Sequence, residues 1–182
     1  MNLTKIKIVA FSAMLGLSIN AKANVHVHDQ GEVFISQQGS MWHIEFAVPA
    51  INAFGFEHLP ENLQQQDIVK GFVDSLSSHK RYIQLGSDCS LIASNEGISD
   101  LYQVNKALPA HKHEHHHDQD SDEATHLNAS FSFTFDCQSG VNSIKLPAFS
   151  SLNELNKLSV QWITEQGQGA AQVYNDQTEL TF

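Results

Sequence analysis

Residues 127–137 read LNASFSFTFDC, and this stretch decides the class of fold. Side chains of an extended chain point alternately to opposite faces, so Phe131, Phe133 and Phe135 share one face, with serines and a threonine on the other. That is a strand with one face in a core. The same alternation recurs at Trp42, Ile44, Phe46 and Val48 against His43, Glu45 and Ala47. It returns at Leu158, Val160 and Trp162, and at Thr178, Leu180 and Phe182.

Weaker patterns fill in the rest. Residues 32–36 follow Gly31 as a short strand, and residues 82–85 and 89–93 read as strands around the turn Gly86-Ser87. Pro49 and Gly55 break the chain after the second strand. Leu63, Val69, Phe72, Val73 and Leu76 recur at helical spacing and predict a helix over residues 61–77, with Pro60 where a helix can begin. Residues 151–157 suit a helical turn or short helix. The expected fold is mainly β (α+β): antiparallel β sheets packed with one main helix and a disordered loop rich in His, Asp and Glu.

The first residues speak to location. Lys5 and Lys7 precede the apolar run IVAFSAMLGLSI and the small-residue site Ala21-Lys22-Ala23. This is the pattern of a secretory signal peptide over residues 1–23, its apolar run too short to span a bilayer comfortably. Residues 24–182 are then a single exported domain, long enough for a sizeable core. Removing the signal deletes three lysines and no acid, which moves the formal charge from −10 to about −13. Such a chain does not suit nucleic acid, whose phosphates demand Lys and Arg, but it attracts cations. Only Cys89 and Cys137 are present. In an oxidising compartment the default for such a pair is a disulfide, worth about 4 kcal/mol in the chain-entropy model; a metal site built from both thiolates is the alternative.

The densest chemistry lies between those cysteines. HKHEHHHDQD, residues 111–120, holds five histidines and three acidic groups, the side chains that bind divalent transition metals. From about residue 105 to 126 the chain is polar and almost free of large apolar groups, so it is expected to be mobile without metal. In an extended conformation His111, His113, His115 and His117 line one side, with His116, Glu114 and Asp118 among them, and His126 lies beyond. The bland reading is a solvated acidic loop. A second group is sparser and more selective. His26 and His28 share a face if extended, and GFEHLP contributes Glu57 and His58 in the loop before the helix. His43 and Glu45 form a polar pair on a strand, read as solvated, and His79 reads as a surface residue at a helix end.

Taken together, the early His-x-His, VPAINAFGFEHLP, the lone cysteine in GSDCSL, the histidine and acid run, LNASFSFTFDC and SVQWIT resemble the zinc-regulated periplasmic proteins of Gram-negative bacteria, the ZrgA type, over essentially the whole mature chain. The resemblance implies a periplasmic zinc-binding component that works with an inner-membrane ABC transporter when zinc is scarce. It directs interest to His26, His28, Glu57 and His58 as metal residues. Chemistry also favours zinc, because imidazole and carboxylate without free thiols or a methionine cluster suit Zn²⁺, whereas copper(I) wants sulfur. A periplasmic metal buffer or detoxification protein, a zinc hydrolase and a β-rich adhesion module are the competing classes. No H-E-x-x-H motif supports the hydrolase.

Overall fold

The computed structural model describes residues 28–86, 88–99 and 127–182. The expected signal peptide, His26 and the whole 105–126 stretch, residues 111–118 included, therefore lie outside the described residues. The chain forms β1 (Gln30–Gln38), β2 (Met41–Pro49), α1 (Ala50–Phe54), α2 (Leu63–Ser75), β3 (Cys89–Glu96), β4 (Asn128–Cys137), β5 (Ser143–Lys145), β6 (Lys157–Thr164), β7 (Gly167–Tyr174) and β8 (Glu179–Thr181). Short 3-10 turns stand at His79–Arg81 and Pro147–Ser150. Six strands make one sheet in the order β3-β4-β2-β1-β6-β7, and β5 and β8 make a ribbon of two. The mainly β class with one main helix is thus correct.

The decisive stretch is β4, paired between the edge strand β3 and β2. Ala129, Phe131, Phe133, Phe135 and Cys137 are all buried on one face, while Ser130, Ser132 and Thr134 lie on the other. β2 matches it residue for residue, with Phe46 opposite Phe131 and Ile44 opposite Phe133. Phe131 then stacks on Phe46 at 5.0 Å between ring centroids and meets Phe72 of α2 edge-on at 5.7 Å and Tyr82 at 5.2 Å. These are the offset and edge-to-face geometries aromatic rings prefer. They seat the helix on the inner face of the sheet.

Four expectations need correcting. The pairing of β1 with β6 is parallel; alternation alone carries no strand direction, and the long crossover between the two supplies the return path a parallel pair requires. Residues 82–85 are not a strand. Tyr82 and Ile83 are buried side by side after a 3-10 turn, and only Gln84 bridges, to Lys145. Residues 151–157 do not form a helix; the 3-10 turn comes earlier, at Pro147–Ser150, and Glu154 takes a left-handed φ of 53° that interrupts helix. The main helix is shorter than residues 61–77 because the Asn62 side chain caps it by accepting from the Gln65 amide at 3.0 Å, while the Gln65 side chain accepts from the Glu61 amide at 2.7 Å. The sequence also hid α1, β5 and β7. The run GQGAAQVY of β7 has too few large side chains to show a period.

Topology brings one end of the sheet together. β1 begins there, with Glu32 opposite Ala47 near the end of β2. β4 begins there, with Asn128 opposite Pro49, and β3 ends there, with Glu96 opposite Phe131. The two stems of residues 100–126 are anchored at this end. Leu127 accepts from the Ala50 amide at 2.8 Å, and the Gly97 amide donates to Ser130 at 3.0 Å. The Glu96 carboxylate takes the amides of Ile98 and Ser99 at 2.6 and 2.8 Å and the Ser99 hydroxyl at 2.6 Å. Burial pushes this carboxyl up, but the hydrogen bonds outweigh it and hold it below its ordinary value.

A group with a depressed folded value stabilises above its unfolded value and ceases to do so as pH falls through the folded one. Glu96→Gln should therefore lower stability by about 2 kcal/mol at neutral pH. The difference from wild type should begin to shrink as pH falls below the ordinary glutamate value, 4.5, and be gone only below the depressed value of the folded protein. Urea unfolding at pH 7 and at acid pH measures both arms.

Candidate metal site at one end of the sheet

His28 and Glu57 meet at the end where the stems stand. His28 lies two residues before β1, and the carbonyl of its neighbour Asp29 accepts from the amides of Asn156 and Lys157 at 2.9 and 3.1 Å. Gly31 keeps this entry tight: a Cβ there would stand 2.8 Å from Val48 and 3.0 Å from Leu158. The approach of β1 to β2 and β6 thus fixes where the preceding histidine can reach.

Glu57 and His58 arrive from the other side, on the loop between α1 and α2. Gly55 ends α1 with φ 85° and its amide on the Ile51 carbonyl, the left-handed cap that glycine adopts without a Cβ clash. Phe56 then turns inward against Phe54 at 5.8 Å, and Phe54 meets Phe72 edge-on at 5.3 Å. With Phe56 buried, its neighbour Glu57 emerges beside His28. His28 Nδ1 stands 2.8 Å from Glu57 Oε1, with side-chain exposures of 56% and 17%. Glu57 Oε1 is shielded from solvent. His58 stacks on Phe56 at 5.3 Å, and its Nδ1 lies 2.8 Å from the Leu59 carbonyl oxygen and 3.9 Å from a Glu61 carboxylate oxygen.

A carbonyl oxygen only accepts, so His58 Nδ1 carries the proton in that contact, and an ionised Glu57 makes the same demand on His28 Nδ1. In both neutral rings the lone pair then resides on Nε2. Oxygen acceptors on Nδ1 are the usual way to set the tautomer and orientation of a metal-binding histidine. The residues singled out in the sequence are distributed as follows. His28 and Glu57 are in contact, and His58 follows Glu57 with its Nδ1 turned to the Leu59 carbonyl. Glu61, which the sequence reading passed over, stands three residues beyond His58, a spacing that could have drawn attention to it. Among the described residues no group of three or more His, Cys, Asp or Glu side chains is assembled as a metal cradle.

The other candidates lie apart. His43 sits on the outer face of the sheet with Nδ1 3.1 Å from the Thr134 hydroxyl. With Glu45 it lines a groove of about 650 Å³ that also includes Phe34, Ser36 and Gln161. His79 is half-buried rather than at the surface. Its ring meets Phe135 edge-on at 5.4 Å, and burial, helped by Lys80, holds it below the ordinary histidine value. Cys89 and Cys137 are joined in a disulfide across directly paired positions of β3 and β4. No helix among the described residues is long and apolar enough to cross a membrane.

Replacing Gly55 by alanine should cost about 1–2 kcal/mol, because the left-handed turn penalises a Cβ. The same change should loosen Glu57 from His28, seen as faster amide exchange over residues 55–58 than in wild type.

A family model described as ZrgA family zinc uptake protein matches residues 25–182. No curated protein matches the chain significantly. With nearly all of the chain past the N-terminal segment covered, the chain belongs to that family.

Proposed function

We propose that this member of the zinc uptake family captures Zn²⁺ in the periplasm at the end of its sheet and supports delivery of the ion to an inner-membrane ABC transporter. One observation carries the reading: at that end His28 and His58 both have Nδ1 beside an oxygen acceptor at 2.8 Å. That leaves Nε2 of each ring as the ligating atom, with Glu57 orienting His28 and Leu59 orienting His58. His26, two residues before His28, is a further ligand of the same type.

The histidine run is the second component. His111, His113, His115, His116, His117 and Asp118 belong to a segment whose stems, Glu96 to Ser99 and Leu127, are anchored at the same end of the sheet. Tethering keeps weakly held ions at a high effective concentration near the folded site. The acidic balance of the chain, −10 overall, draws cations towards it. Flexible ligands must be ordered on binding, so the run binds weakly and at several places, whereas residues held by the fold lose less entropy. The Cys89–Cys137 disulfide suits an oxidising compartment such as the periplasm. A zinc uptake family also speaks for transport over hydrolysis.

Calorimetric zinc titration tests the division of labour. Deleting residues 111–118 should lower the number of ions bound and leave the tightest one. His28→Ala together with His58→Ala should weaken that tightest ion by about 100-fold or more, and Glu57→Gln by about 10- to 100-fold. Loss of all zinc binding on deletion of the run would refute the folded site. In cells lacking the protein and starved of zinc, the double histidine variant should restore growth less well than the deletion. Full growth without any complementation would remove the uptake role.

A further inference from the structure

The two edges of the six-stranded sheet are β3 and β7, and they are guarded differently. β3 carries a register shift between Leu91 and Ala93 and is tied to β4 by the disulfide. Such a bulge twists an edge away from a new partner. β7, GQGAAQVY, has no charge, no proline and no register shift. The two-residue turn Glu165-Gln166 decides which of its backbone groups are already bonded. Thr164 and Gly167 flank that turn and exchange ladder bonds, as do Trp162 with Gly169 and Val160 with Ala171. The N–H and C=O groups of Gln168, Ala170 and Gln172 therefore point away from β6. Among the described residues they have no backbone partner. The Tyr174 carbonyl, next in the row, accepts from the Gln177 amide at 3.0 Å, which closes the row at that end.

We propose that this open row is a dimerisation edge: β7 pairs antiparallel with β7 of a second copy of this chain, about a twofold axis at Ala170, and joins two sheets into one. The strand is self-complementary about that residue. Ala170 comes opposite Ala170 of the second copy, and Gln168 opposite its Gln172, so each opposed pair exchanges both backbone bonds. On the inner face Gly169 comes opposite Ala171, small against small. The side chains repeat the match. The Tyr174 hydroxyl donates to Gln172 Oε1 at 2.7 Å, which leaves the Gln172 Nε2 hydrogens for the Gln168 side-chain oxygen of the second copy. Charge permits the approach at this strand. The chain is acidic, −10 overall, so two copies repel in most orientations. β7 is neutral, and Glu165 of its own turn is bonded to the Gly39 amide at 2.9 Å. The twofold pattern of glutamine, alanine and glutamine favours a second copy over an unrelated extended peptide, which would not repeat it. His28, Glu57 and His58 take no part, so the pairing is independent of zinc capture at their end of the sheet.

Sedimentation equilibrium of the purified protein tests the pairing, with the disulfide intact and a chelator present so that no metal bridges two histidine runs. One strand pair is a small interface of the weak, reversible kind, so protein is followed from about 10 μM to about 1 mM. The mean mass should rise from that of one chain towards that of two. Over the same range, hydrogen exchange should slow about tenfold or more at the amides of Gln168, Ala170 and Gln172. The amides of Gly169 and Ala171, already held by β6, should change little. Ala170→Lys and Ala170→Glu each set like charges across the axis at an exposed position and should raise Kd about tenfold or more. An equal mixture of the two variants should recover association, and circular dichroism checks that both keep the fold. If either variant unfolds, the exchange pattern of the wild type decides. A mass of one chain throughout, exchange at those three amides that ignores concentration, or a dimer that neither folded variant weakens overturns the proposal. A mixture no tighter than either folded variant alone overturns the axis at Ala170.

Discussion

Phe131 is the side chain on which the arrangement turns. It lies on β4, one strand in from the sheet edge, stacked on Phe46 and edge-on to Phe72, Tyr82 and Phe133. Through Phe46 it fixes the register of β2 on β4; through Phe72 it fixes the helix. Phe72 in turn holds Phe54, and Phe54 holds Phe56. The position of Glu57 is therefore set by a chain of aromatic contacts that starts in the core. A slip of one residue between β2 and β4 would turn the core rings of the slipped strand to the opposite face and break the Phe46–Phe131 stack, so sheet pairing and site geometry stand or fall together.

Much of this was legible because the core is aromatic and regular. LNASFSFTFDC and the Trp42 to Val48 run could only be half-buried strands, and the spacing of Val69, Phe72 and Leu76 could only serve a helix with one buried stripe. What escaped was decided by tertiary contacts. Strand direction leaves no trace in alternation, so the parallel β1–β6 pair was hidden. The edge strand β7 is built from glycine, alanine and glutamine around a close approach, for a Cβ on Gly169 would fall 2.3 Å from the Trp162 ring. Small residues that look like a weak strand signal are required there by the neighbouring indole.

The site was legible in parts. A histidine before β1 and an acid with a histidine before α2 could be marked as ligand types, yet nothing in their spacing said that 29 positions of chain bring His28 to within 2.8 Å of Glu57. That contact depends on the left-handed turn at Gly55 and on the anchoring of the Asp29 carbonyl. Nor could the sequence say that Glu96 and Leu127, which bracket the histidine run, end on the same side of the sheet. Topology brings the two ends that flank the histidine run to the same end of the sheet as the His28–Glu57 pair.

The most direct measurement is a crystal structure of the protein grown with one equivalent of zinc, with anomalous scattering recorded on both sides of the zinc edge. The account predicts a single dominant peak about 2.0–2.1 Å from His28 Nε2, with Glu57 still beside Nδ1 of the same ring. A peak seated instead on His43 and Glu45 of the outer face, with the His28–Glu57 pair untouched, would contradict it.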